Sequence, residues 1–432
     1  MNTIVHLTTA KGFVIEGTCH NPIQVLDPNG NEVWRRLDAV ERGDHIVIHR
    51  GRRVFGAHLD LRHAVMAAQV RVFASKRQDA MRAVALPEEM TPDLAEFLGM
   101  LVAEGYMGER GAFNFTQKDV GIMDRYCELC ASLFNVRPRI QYSSGSRVPS
   151  ARLQNVALQA YLEAVGLPWS KSAHKLIPAA VQAAPEDCIR AFVSAVIGLE
   201  GHVARRSKGK VTFGLTMASE QLIQQLQVVL LNYGVVAMRT SRLAMATNGA
   251  RIARLYWRLA VSGGRNIAIL RDVVGVYEPR KQALLEGTFR DSTARDWIPN
   301  ARARVGEIMR EIQGHGFALK STFSGSDHRM LRTFRSGRTG EVRELTYAFA
   351  EKLVSKLDAL RVVGPASQWL RNKVEFNHAF DAVVAIESGH TQMNDVAMSV
   401  THHVSSETGV WPTSRFHRDA QSGNEITGTG VS

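Results

Sequence analysis

The stretch Glu96–Gly105 reads EFLGMLVAEG, and Phe192–Gly201 reads FVSAVIGLEG. Each is a short apolar helix pattern that closes on Glu-Gly, so Glu104 and Glu200 stand at matched positions. In the first stretch Phe97, Leu98, Met100, Leu101 and Val102 are apolar on nearly every face. That pattern belongs to a buried helix rather than an amphipathic one. Gly99 and Ala103 are small and four apart, so they share a face; Ala195 and Leu199 hold the matching positions. Small residues on one stripe let two helix backbones approach closely. The expectation is two related helices side by side, with Gly105 and Gly201 in the positive-φ conformation common at helix ends. A carboxylate at a helix C-terminus is electrostatically disfavoured. Its occurrence twice points to a shared divalent cation held by Glu104 and Glu200; an ordinary helix-end acid is the plain alternative.

The flanking sequence repeats as well. Leu86–Phe97 (LPEEMTPDLAEF) leads into the first motif, and Phe113–Val136 follows it as a strand and then a helix. Lys175-Leu-Ile-Pro178 precedes the second motif, and Val211–Arg239 repeats the strand-and-helix pattern, with Leu259–Glu286 closing it. This pattern resembles the LAGLIDADG homing endonucleases, in the two-motif form found inside inteins. The resemblance runs from about Pro87 to Glu286. It implies an α+β fold, with a pseudo-two-fold pair of αββαββα-like halves (87–168 and 169–286) forming a DNA-binding saddle. It also implies a monomer through internal pseudo-symmetry, a long recognition site on double-stranded DNA, and Mg²⁺ held by Glu104 and Glu200. Lys175 resembles the basic residue that the family aims at its cleavage site, and Lys281 looks like its partner in the second half. A phosphate clamp or a solvated surface lysine is the alternative for both.

The whole chain fits a nucleic-acid partner. At 432 residues it is long enough for about three domains. Lys and Arg number 53 against 41 Asp and Glu, a formal net charge of +12. Such an excess favours DNA or RNA first and an anionic membrane surface second, with a merely basic soluble protein as the plain reading. No apolar run approaches the ~18 residues of a membrane span, and Met1–Thr9 does not read as a signal peptide. A cytoplasmic setting in a bacterium, archaeon or phage is expected. The four cysteines are too few for a disulfide scaffold. Cys127 and Cys130 lie in a helical pattern that reads as core rather than metal site.

Candidate reading strands are Ala112–Thr116, Arg139–Ser143 and Arg147–Gln154 in the first half. Val211–Thr216, Val236–Leu243 and Arg251–Ala260 are their counterparts in the second. Arg139 and Arg239 lie on these strands, and Arg205, Arg206, Lys208 and Lys210 are placed in a loop after the second Glu. All six are candidate DNA contacts.

Residues 1–50 read as short strands with turns at Pro22, Asn29-Gly30 and Gly43. They resemble the first part of the intein splicing (Hint) domain, with Thr18, His20 and Asn21 in its T-x-x-H-like block; the family's His falls on Asn21. Residues 375–411 resemble the other part. Phe380–Glu387 is like the strand before the last blocks, and Asp395 and His403 resemble the groups that assist cleavage there. The resemblance implies a first Cys or Ser nucleophile and a terminal Asn, and neither is visible where Trp411-Pro-Thr-Ser414 stands. A truncated or degenerate splicing domain is therefore expected. Residues 51–86 read as a basic connector and 287–374 as a basic accessory or linker region. Within the latter, Ser321–Gly340 reads as a loop that orders on DNA. Residues 412–432 read as a tail, either flanking host protein or disordered.

The leading expectation is an intein-type site-specific DNA endonuclease with splicing impaired or lost. A maturase-like or inactive nucleic-acid-binding remnant, and a split or partial intein still active in splicing, are the alternatives.

Overall fold

The computed structural model describes residues 2–76, 79–107, 112–142, 148–168, 171–206, 210–245, 253–286, 296–335 and 344–391. The first motif helix spans Pro92–Glu104. Thr91 caps it by accepting from the Leu94 N–H at 3.2 Å, and Pro92 sits where its missing N–H costs nothing. The second spans Glu186–Glu200, with Glu186 and Asp187 placed favourably in its first turn. The two helices pack against each other at close range. A Cβ on Gly99 would lie 2.7 Å from the Phe192 carbonyl oxygen and 2.9 Å from the Ala195 Cβ. Ala195 and Gly99 are thus the contact, and both are fully buried.

Each motif helix runs straight into a strand. Gly105 and Gly201 have φ of −81° and −76°, extended rather than left-handed. Space, not backbone conformation, selects glycine here. A Cβ on Gly201 would strike the Phe213 ring and the Ile197 carbonyl.

The two halves share one element order: helix, two strands, helix, two strands, helix. In the first, Gly105–Met107, Ala112–Thr116, Arg139–Tyr142 and Pro149–Gln154 form a sheet. In the second, His202–Arg206, Lys210–Met217, Met238–Met245 and Ala253–Ser262 do so, in the same spatial order. The expected loop after Glu200 is therefore a hairpin, with Arg206 paired to Lys210. Sheet alternation sends Phe113, Phe115, Leu153, Phe213, Leu215, Leu259 and Val261 inward to one continuous core shared by both halves. Helix Arg62–Ala74 adds Ala64, Ala68 and Val72 to that core, so part of the expected connector belongs to it. Cys130 is buried there and Cys127 packs against it, both as free thiols.

Strands from residues 2–48 and 379–391 form a six-stranded sheet. Its order is Val14–Thr18, Asn2–Thr9, Ala379–Thr391, His45–Ile48, Pro22–Leu26, Glu32–Arg36. Strand Ala379–Thr391 bridges antiparallel to both Asn2–Thr9 and His45–Ile48, so the sheet cannot close without it. The region read as a basic accessory or linker segment contains a helical layer. Helices Arg302–Gly314, Gly325–Arg335, Tyr347–Ala359 and Pro365–Phe376 share a core with Leu26, Val47 and Phe380 of this sheet. The described part of Ser321–Gly340 is helical, because Leu331 and Phe334 recur at helical spacing and are buried.

The end sheet docks on the second half through its Thr9–Gly12 turn. The Arg239 N–H donates to the Lys11 carbonyl at 2.8 Å, and Arg239 Nε donates to the Gly12 carbonyl at 3.0 Å. Gly12 has φ +83°, and a Cβ there would sit 2.7 Å from the Arg239 carbonyl. Among the described residues no helix is long and apolar enough to cross a membrane.

Candidate functional site

Glu104 and Glu200 are the last helical residues of the two motif helices. Both carboxyls are pushed above the usual range, first by burial. Glu200 is pushed up to about 7, with the charge of Glu104 as a further cause. Each is opposed by the nearby charges of Lys175 and Lys281. Two acids and two lysines from four separate segments therefore converge on one place.

The lysines do more than lend charge. Lys175 Nζ donates to the carbonyls of Val102 at 2.7 Å, Ala103 at 3.1 Å and Gly105 at 3.1 Å. Lys281 Nζ donates to those of Gly198 at 2.6 Å and Leu199 at 3.1 Å, and pairs with Glu278 at 2.8 Å. Val102 and Ala103 match Gly198 and Leu199 in the two motifs, so the caps are equivalent. Each lysine satisfies the orphan carbonyls of a motif helix and offsets the dipole that disfavours the acid beside it. Burial lowers the Lys175 ammonium from its usual value, opposed by Glu200 and Glu104.

A divalent cation fits this donor set. Hard carboxylate oxygens suit Mg²⁺ or Mn²⁺. Two buried acids, one of which raises the pKa of the other, are relieved by a cation between them.

Register assigns the sheet faces above the site. Facing away from the core are Tyr106, Asn114, Thr116, Arg139, Gln141, Ser150 and Arg152 in the first half. His202, Thr216, Thr240, Arg242, Arg254 and Arg258 hold this face in the second. Arg139 is thus on the outer face and exposed. The backbones of Arg206 and Lys210 pair in the hairpin, and Lys208 lies outside the described residues.

Two expected DNA contacts are elsewhere. Arg239 is on the inner face and only 7% exposed. It is held by Gly12, by Glu220 at 2.8 Å and over the Trp257 ring at 5.2 Å. Its side chain is spent on docking the end sheet. Arg205 also faces away from the outer surface. It donates to the carbonyls of Leu284 at 3.0 Å and Glu286 at 2.7 Å, at the end of a short helix.

Sequence reasoning passed over His202 and Arg258. A Cβ on Gly214 would lie 2.6 Å from the His202 Cε1 and 3.4 Å from an Arg258 guanidinium nitrogen, so the imidazole lies over that glycine. Burial, then Arg258, Lys281 and Arg242, lowers the His202 pKa. Arg258 Nε is buried with no hydrogen-bond partner among the described residues. The available signal was position: His202 follows the second Glu-Gly as Tyr106 follows the first.

At the other end of the molecule, Thr18 Oγ1 donates to Asn21 Oδ1 at 2.7 Å, and His20 is exposed on the same turn. Asp395 and His403 lie outside the described residues.

Residues 187–275 match a family described as LAGLIDADG-like domain. The chain is similar to elongation factor 2 of Methanopyrus kandleri, 23% identical over 451 residues, covering 89% of this chain and 33% of the relative. It is also similar to the replicative DNA helicase DnaB of a Synechocystis species, 23% identical over 332 residues, covering 73% of this chain and 33% of the relative. The chain thus spans about a third of the length of these curated relatives. Among solved structures, the homing endonuclease I-DmoI in complex with DNA and Mn is 16% identical with a TM-score of 0.30, covering 42% of this chain and 96% of that one. The second half of the core is therefore similar to a LAGLIDADG-like domain, within an α+β protein.

Proposed function

We propose that this chain is a site-specific DNA endonuclease of the LAGLIDADG type, dependent on a divalent cation. The observation that carries the reading is the convergence of Glu104 and Glu200 at the ends of two matched, lysine-capped helices. Glu104 and Glu200 would hold Mg²⁺ or Mn²⁺, which would activate water and neutralise charge on the phosphodiester. Lys175 and Lys281 fix the helix ends and offset the charge of the two carboxylates where a polyanion would approach. The two outer sheet faces offer Asn, Gln, Thr and Arg to base edges and phosphates. Two halves in one chain supply a long asymmetric footprint without a second copy.

The end sheet supports an intein-like context. An elongation factor and a replicative DNA helicase have different work to do, yet each matches this chain over a minority of its length. An inserted element would match unrelated hosts in that way. In this reading Thr18, His20 and Asn21, with Asp395 and His403, belong to the splicing-like part.

The test is cleavage of a randomised double-stranded DNA library with Mg²⁺ or Mn²⁺, by the chain and by its Glu104→Gln form. Enriched cut ends from the first alone support the nuclease. Identical outcomes from both remove the enzyme reading. Salt-sensitive binding with no cation-dependent cut selects the non-cleaving alternative. For the intein context, the readout is a ligated product from the chain placed between flanking sequences.

A further inference from the structure

The turn that carries Thr18 and Asn21 also gathers three metal-type donors that the nuclease reading does not use. Cys19 and His20 lie between strands Val14–Thr18 and Pro22–Leu26, and Asp38 lies in the single helical turn Leu37–Ala39. One donor atom from each lies within 4.8 Å of the other two. Donors on a tetrahedral Zn²⁺ stand about 3.5 Å apart, so the half-buried Cys19 and the exposed His20 and Asp38 need to close by only about 1 Å. The backbone is already fixed. The Asp38 N–H donates to the Cys19 carbonyl at 3.2 Å, the Leu37 N–H to the Asn21 carbonyl at 2.9 Å, and the Asn21 N–H to the Thr18 carbonyl at 3.0 Å.

We propose that Cys19, His20 and Asp38 form a site for a borderline-soft divalent cation of the Zn²⁺ type, separate from the Glu104–Glu200 site. One thiolate, one imidazole and one carboxylate match Zn²⁺ in softness and in charge, and disfavour Mg²⁺. Three protein ligands leave a fourth position for water or for a group from another molecule. The other cysteines are poor competitors. Burial pushes Cys130 and Cys188 up to about 12 and raises Cys127 as well, so none of them readily offers a thiolate.

The site carries its own competitor. Arg36 grips the Asp38 carboxylate with Nε at 3.0 Å and Nη2 at 2.6 Å. This pair, by hydrogen bond and then by charge, holds Asp38 ionised, but a metal must take the carboxylate from it. Arg36 therefore sets the affinity without being a ligand.

The experiment is a Co²⁺ titration of the full chain carrying Glu104→Gln and Glu200→Gln, so that the carboxylate pair takes no part. Thiolate-to-Co²⁺ charge-transfer absorption is read, and Zn²⁺ is then added. The expected result is a band saturating at one equivalent, bleached by Zn²⁺ and lost in Cys19→Ser. Asp38→Asn weakens binding by roughly 10-fold or more, a loss of the size seen when a metal's supporting groups are removed. Arg36→Gln tightens binding several-fold, which a purely structural role for these side chains would not produce. A missing band in the parent chain, a band retained in Cys19→Ser, or unchanged affinity in Asp38→Asn overturns the site.

Discussion

Tyr106 and His202 occupy the same place in two halves that differ above it and agree below it. Below, the agreement is close: a motif helix ending in Glu, a strand with no intervening loop, and a lysine on matched carbonyls. Above, Asn114 stands where Gly214 does, Ser150 where Arg258 does, and Ile140 where Arg239 does. In the proposed nuclease the helix ends are constrained because both would serve one site. The faces are free to diverge because each half would meet a different stretch of DNA, and one inner position has been diverted to hold the end sheet.

The most severe way to break the symmetry is at the acids. Glu104→Gln and Glu200→Gln are each expected to lower cleavage by at least ~10³-fold, with the double variant little worse than either, because the pair acts as a unit. Gel assay of supercoiled target would read both nicking and double-strand cleavage. An additive loss would assign the two acids to independent sites.

At the helix contact, Gly99→Leu is expected to destabilise the chain by ~3 kcal/mol or more, since its side chain would meet the Phe192 backbone. Gly306, in helix Arg302–Gly314, has nothing within 4 Å of an added Cβ. Gly306→Ala should therefore stabilise by about 0.5–1 kcal/mol. Denaturant midpoints compare the two, and equal effects would deny the close approach.

Glu200 carries a cost that pH reveals. Its folded value, about 7, lies above the ordinary 4.5. Stability from the protonated form is present below pH 4.5 and is lost as pH rises through 7. At pH 8 with chelator, Glu200→Gln is expected to be the more stable form by roughly 1–3 kcal/mol, a difference that vanishes near pH 4. Thermal melts at both pH values check it.

The smallest effect is on the faces. Arg258→Ala should lower the salt slope of DNA binding by about 1, whereas Arg239→Ala should leave it unchanged and loosen the end sheet instead. Binding measured across salt concentrations separates the two.

These contrasts mark what the sequence could disclose. The motif helices are legible because their apolar residues wrap all faces and end on a repeated Glu-Gly. The two saddle sheets are legible from strands of alternating burial. The strand Glu32–Arg36 escapes because only Val33 and Trp34 in it are apolar, too short a run to read. The lysine caps are invisible because their partners are backbone carbonyls, which every residue has. Arg239 misleads because a charge on a strand declares neither face. Only the pairing of Thr240 with Arg258 and of Arg239 with Leu259 decides it. The helical layer was hidden by its arginines, although Val305, Ile308, Met309 and Ile312 hold a clear helical period.

Carbon-13 carboxyl titration of Glu200, in the metal-free chain and in Glu104→Gln, tests most directly whether the two acids share one site. The expected apparent pKa is near 7 in the parent chain and lower in Glu104→Gln, with the titration abolished by saturating Mg²⁺. An ordinary carboxylate value for Glu200 that is indifferent to both Glu104 and Mg²⁺ would contradict the shared site.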